Sequence, residues 1–100
     1  MQVVQLDPAT AFKPVGAVGH GVVADPSERG WEVPGDTNNL SNNVPYVEGS
    51  WVTQRAGRYY WSYSSPGTQY KSYADGIFTA PNASGPWTYE LYNPISSKVQ

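Results

Sequence analysis

Few residues in this chain can do chemistry, and most of those that can are carboxylates. The 100 residues include one His, no Cys and eight Asp or Glu. His20 lies between Gly19 and Gly21 in an extended segment. A lone His makes no His-pair metal site, and there is neither a Cys for it to activate nor a Gly-x-Ser-x-Gly nucleophile elbow. Without thiolates, disulfides and zinc–sulfur sites are excluded, and neither a metal nor a cofactor is expected. Glu48 opens a strand-like run beside Tyr46 and Trp51. Those rings could desolvate its carboxyl, as general acids require; the other reading is an ordinary exposed carboxylate next to a turn. Asp25, Asp36 and Asp75 each stand beside Pro or Gly, where an Asp most simply orders a turn or loop. Asn39-Leu40-Ser41 and Asn82-Ala83-Ser84 fit the glycosylation triplet, a pattern that arises readily by chance in Asn-rich loops.

The elements that must position these groups are strands. Charged residues make up 14% of the chain, against roughly 25% in an average soluble domain, while Gly and Pro number 10 and 9 and aromatic residues reach 14%. Nowhere do apolar residues recur at helical spacing over three turns, so the class is all-β with no substantial helix. A net charge of −2 without a basic run argues against a nucleic-acid partner. No apolar run approaches the roughly 18 residues of a membrane span, so no membrane partner is expected. The first residues lack the basic and apolar regions of a leader peptide, which leaves a cytoplasmic chain or one whose leader has been removed.

Val3–Leu6 reads as a strand, Asp7-Pro8 as a turn, and the residues around Phe12 as a second extended piece that Pro14 and Gly16 close. Ala17–Ala24 suggests another strand, weakened by Gly19 and Gly21. Residues 25–47 form a long polar loop, a length that in a compact domain serves a site or an interface. The alternation then sharpens into four expected strands, Glu48–Gln54, Arg58–Ser64, Ser72–Ala80 and Trp87–Tyr92, with a hairpin turn at Arg55-Ala56-Gly57. Four consecutive antiparallel strands with short turns match one blade of a β-propeller. The organisation expected is outer strands of a partial blade over 1–24, the loop over 25–47 and one complete blade over 48–100.

Val47-Glu48-Gly49-Ser50-Trp51-Val52, followed by Gly57-Arg58-Tyr59-Tyr60-Trp61-Ser62-Tyr63-Ser64, resembles the third blade of glycoside hydrolase family 43, the five-bladed propeller enzymes of plant-polysaccharide breakdown. Pro66-Gly67-Thr68-Gln69-Tyr70, Tyr73-Ala74-Asp75-Gly76 and Ala83-Ser84-Gly85-Pro86-Trp87 look like the rest of that blade, and Leu6-Asp7-Pro8-Ala9-Thr10 with Pro14-Val15-Gly16 like the end of the preceding one. The resemblance implies that Glu48 is the general acid that protonates the departing glycosidic oxygen. Trp51, Tyr46, Trp31 and Tyr70 are the candidates for contact with the substrate, which the resemblance implies is an oligosaccharide or polysaccharide of the xylan or arabinan class. Aromatic residues serve two purposes in such a protein, stacking on sugar rings or packing within the blade. Trp61 and Tyr63, mid-strand, fit packing better, and Trp31 and Tyr70 fit either.

The departures matter as much. An inverting glycosidase needs a second carboxylate roughly 6.5 to 9.5 Å from the acid. The resemblance puts that base in a first blade, and an acid-tuning Asp in the second, in segments that this chain does not contain. Asp25, Asp36 and Asp75 sit in no matching motif. The expectation is therefore a glycosidase-like fragment, inactive alone, the alternative being a non-catalytic sugar-binding or self-assembling blade module. An isolated blade leaves sheet faces and edges uncovered, so a homo-oligomer is expected, most simply a two-fold dimer.

Overall fold

A computed structural model describes residues 1–40 and 44–98. Among these the fold is all-β: β1 (Gln2–Asp7), β2 (Lys13–His20), β3 (Glu48–Arg55), β4 (Arg58–Ser65), β5 (Ala74–Ala80), β6 (Thr88–Tyr89) and β7 (Ser96–Ser97), with two three-residue 3₁₀ turns, Pro8–Thr10 and Gly30–Glu32. β1 and β2 form a two-stranded ribbon, and β3-β4-β5-β6 form an antiparallel meander that β7 joins on β5. The described residues are elongated, 48 × 28 × 22 Å with a radius of gyration of 15.0 Å, against about 13 Å for a compact domain of this length.

The hairpin between β3 and β4 follows from its turn. Ala56 and Gly57 have φ of 51° and 75°, the paired positive values that a two-residue turn needs to match strand twist. Alternation along β4 then buries Trp61 and Tyr63 on one face, where Phe78 of β5 meets them. Segment 21–33 covers that face. Val22, Glu32 and Val33 are buried, Trp31 packs on Tyr63 with ring centroids 5.6 Å apart, and Trp87 meets Trp61 edge-on at 5.0 Å. Two glycines let the layers close: a Cβ on Gly21 would lie 1.9 Å from the Trp61 ring, and one on Gly76 2.8 Å from Trp31 and Tyr63.

Several boundaries differ from the sequence expectation. Pro14 and Gly16 do not end a strand. β2 runs through them, because Pro14 needs no second partner on an edge strand and Gly16, at φ 75°, lies where the register with β1 shifts. Phe12 is in the turn, at φ 60°, and residues 21–24 leave the ribbon to cross the sheet. β5 begins at Ala74 rather than Ser72, since the Ser72 hydroxyl donates to Gly35 O at 2.6 Å. β6 spans only Thr88–Tyr89. Beyond it the Asn93 side chain takes over β5's edge, accepting from Ile77 N and donating to Ile77 O, both at 2.8 Å. β7, which no sequence signal marked, continues that edge opposite Ala74 and Asp75.

Candidate functional site

Glu48 stands where β3 begins, and the Gly after it decides where it points. Gly49 has φ 66° and falls within a register shift between Glu48 and Trp51 against β4. Such a bulge, made with a left-handed Gly, re-aims the neighbouring side chain. A Cβ there would come within 3.3 Å of Ser64 Oγ. The half-buried Glu48 carboxylate accepts from the Tyr46 hydroxyl at 3.3 Å. The approach to it is fixed by bonds to the backbone: the Ser65 hydroxyl shares its one proton between Tyr46 O at 2.5 Å and Glu32 O at 3.1 Å, and Tyr46 N donates to Glu32 O at 3.1 Å. A cleft of about 300 Å³ results, lined by Pro34, Tyr46, Glu48, Pro66, Thr68, Gln69 and Tyr70, at the small end of ligand sites. Its far wall is held by Lys98, whose ammonium donates to Thr68 O at 2.6 Å.

Of the residues singled out from the sequence, the structure brings together Glu48, Tyr46 and Tyr70. Trp51 does not line the cleft. It lies past the bulge on the uncovered face of the sheet, 69% exposed. Trp31 is not there either: its ring packs in the core and its Nε1–H donates to the Tyr89 hydroxyl at 3.2 Å. Trp61 and Tyr63 are core rings. Asp25 caps a turn, accepting from Ser27 Oγ at 2.6 Å, and that bond leads the effects that lower its pKa below the usual carboxylate value. Asp36 accepts from Lys71 N at 2.9 Å and Asp75 from Ser64 Oγ at 2.6 Å. His20 is exposed at the end of β2, and no cluster of three potential metal ligands occurs among the described residues. The triplet at Asn82 is on an exposed turn, while Ser41 of the other triplet lies outside the described residues.

A buried carboxylate escaped the sequence reading. Glu32 is wholly buried. Its Oε1 accepts from the Tyr63 hydroxyl at 2.6 Å and pairs with Arg29 Nε at 3.2 Å, and its Oε2 accepts from Asp25 N at 2.9 Å. Arg29 also donates to Val23 O and stacks 4.4 Å from the Tyr89 ring centroid. Burial, followed by the bond to Glu32, pushes the Tyr63 phenol well above its ordinary pKa. This knot pins segment 21–33 to the sheet. The available signals were Arg29 three residues before Glu32, and the apolar Trp31 and Val33 on either side of it, inside an otherwise polar stretch.

Comparison with solved structures bears on the fold. The chain superposes on the crystal structure of a thermostable family-43 glycoside hydrolase with a TM-score of 0.71 over 96% of its own length, at 23% sequence identity. The chain has the fold of part of that propeller. It spans 28% of the enzyme's length. No protein-family model and no curated relative matches the sequence. The likeness therefore rests on the course of the backbone, which agrees with the blade expected from the strand pattern.

Proposed function

We propose that the Glu48 cleft is the sugar-binding part of a glycosidase-type site, with Glu48 as the general acid. The observation that carries this reading is a half-buried carboxyl, braced by one tyrosine hydroxyl and aimed by a glycine bulge into a polar, Tyr70-walled cleft. The blade that holds it is shared with a family-43 glycoside hydrolase. In this role the Glu48 proton passes to the glycosidic oxygen as the bond to the sugar carbon breaks. Tyr46 holds the carboxyl in position, and Tyr70 offers a ring face to the sugar. Hydrolysis also needs a base to activate water, and among the described residues no second carboxylate lines the Glu48 cleft, while Asp36, in the depression across Tyr70, accepts from Lys71 N. The chain alone therefore binds sugars of the xylan or arabinan class without cleaving them.

The test is paired. Titration with xylo- and arabino-oligosaccharides, followed by intrinsic fluorescence, should give saturable changes, while 4-nitrophenyl xyloside and arabinofuranoside release no nitrophenol above background. Absence of any saturable change would remove the sugar cleft. Turnover that Glu48→Gln abolishes would show that a base is present after all.

The same reading includes assembly. Every residue of β3 after Glu48 is exposed, and β2 is exposed along almost its whole length. Association as a two-fold dimer would cover these edges. Light scattering on the eluting peak should give twice the 10.9 kDa chain mass; a stable species of the single mass would refute the dimer.

A further inference from the structure

The triplet Asn82-Ala83-Ser84 takes its meaning from where the fold puts it. β5 ends at Ala80, opposite Tyr59 of β4, and Trp87 brings the chain back to the core, edge-on to Trp61 at 5.0 Å. Between these anchors residues 81–84 are all exposed. The bond that closes the turn runs between backbone atoms, Gly85 N donating to Asn82 O at 3.0 Å. It spends neither the Asn82 amide nor the Ser84 hydroxyl. Gly85, at φ 103°, makes the bend in a region of backbone space that other residues seldom adopt. The shape of the turn therefore comes from its backbone and leaves both polar side chains for other use.

There is also room beside it. The β1–β2 ribbon meets the turn at Ser84, where a Cβ on Gly19 would lie 3.6 Å from Ser84 O. Next to that contact is a depression of about 160 Å³, lined by Val3, Val4, Gln5, Ala83 and Ser84. The turn stands well away from the Glu48 cleft. Glu48 lies opposite Ser64, and Ser64 opposite Asp75, so β5 carries the chain from the row of Glu48 to the far end of the blade. At about 3.3 Å per residue, roughly 20 Å separates Asn82 from that row.

We propose that Asn82 is an N-glycan attachment site. The donor is an oligosaccharide on a polyprenyl pyrophosphate, delivered by an oligosaccharyl transferase. The bond from Asn82 Nδ2 to the anomeric carbon forms as the bond from that carbon to the pyrophosphate oxygen breaks, and the amide gives up one proton to the departing polyprenyl pyrophosphate. The acceptor pattern requires a hydroxyl two positions after the Asn and a residue other than proline between them; Ser84 and Ala83 meet both conditions. A glycan is bulky and belongs on a surface, and this turn takes one without displacing a core ring or entering the cleft. The site does not rest on the sugar-cleft reading: a chain that binds no free sugar would carry the glycan equally well.

The experiment secretes the full chain from a eukaryotic host behind a cleavable leader. Peptide-resolved mass spectrometry is applied to the medium and to the cell extract, so that a chain retained in the pathway is still scored, with the peptide holding Asn39 scored separately. The Asn82 peptide should carry hexose and N-acetylhexosamine, and peptide N-glycosidase should leave an aspartyl residue at position 82. Ser84→Ala should abolish the modification there, and Ser84→Thr, which restores the hydroxyl, should keep it. The glycosylated chain should melt with the unmodified Asn82→Gln variant. A leader-free chain with Asn82 bare, occupancy that survives Ser84→Ala, or a glycosylated chain that melts well below Asn82→Gln would overturn the assignment.

Discussion

Glu32 and Glu48 each sit beside a tyrosine hydroxyl, yet one carboxylate is consumed by the fold and the other faces a cleft. Glu32, with no exposed surface, accepts from Tyr63 at 2.6 Å and from Asp25 N, and pairs with Arg29. Those partners satisfy both oxygens and leave nothing for a ligand. Among the described residues Glu48 takes one, longer bond, from Tyr46 at 3.3 Å. It is one of the residues that line the cleft. A buried charge must be paired or it destabilises the fold; a half-buried one can remain partly unmet at little cost. The difference separates a carboxylate whose job is structural from one available for chemistry, although both stand beside the same kind of residue.

The sharpest way to break the comparison is to remove the buried carboxylate. Glu32→Ala leaves Arg29 and Tyr63 without their partner in a low-dielectric site, and should destabilise the chain by about 3–5 kcal/mol. With total stabilities of about 5–15 kcal/mol, that brings the fold near its limit. Urea denaturation measures it. A loss below about 1 kcal/mol would mean that the knot is ornamental.

Tyr63→Phe keeps the ring and deletes one donor to Glu32, with an expected loss of about 1–3 kcal/mol. It also carries a pH signature. Because the folded-state pKa of Tyr63 is raised, its contribution is complete below the ordinary tyrosine value of about 10 and is lost as pH rises beyond it. Wild-type stability should therefore fall above about pH 10 more steeply than that of Tyr63→Phe. Parallel alkaline limbs would show that the phenol's burial is not what sets them.

Gly49→Ala tests how Glu48 is aimed. A left-handed alanine costs about 1–2 kcal/mol, and its methyl would crowd Ser64 Oγ. Sugar affinity should fall along with stability, unlike the outcome for Glu48→Gln. That smallest change should leave stability within about 0.5 kcal/mol of wild type, as expected for a partly exposed site without tight partners. Thermal melts of the two variants side by side would show whether the bulge and the carboxyl separate in this way. Equal destabilisation would make Glu48 a structural residue like Glu32.

The sequence made some of this contrast legible and hid the rest for physical reasons. The β3–β4 hairpin could be read because its signals are local, in the period-two aromatics of Arg58–Ser64 and the Ala56-Gly57 turn. Glu48 was legible as a candidate because it stands in a short motif with Gly49 and Trp51, and the structure sets it in the wall of a cleft. Glu32 could not, since its burial depends on Tyr63, 31 positions away, and nothing in Gly30-Trp31-Glu32 alternates. Trp31 was ambiguous for the same reason: a ring in an irregular segment can face either a core or a cleft, and only the opposing Tyr63 and Gly76 decide which. β7 was invisible because two residues carry no period, and the edge they extend is prepared by the side chain of Asn93.

The most direct measurement follows the two carboxyl carbons themselves. Side-chain Cδ resonances of Glu32 and Glu48 in the ¹³C-labelled chain, recorded through a β-1,4-xylobiose or α-1,5-arabinobiose titration, report which carboxylate meets the ligand. A saturable shift at Glu48 with Glu32 unmoved is the predicted result. A shift at Glu32 with Glu48 unmoved, or no shift at Glu48 with either sugar, would contradict the assignment of one glutamate to the fold and the other to the cleft.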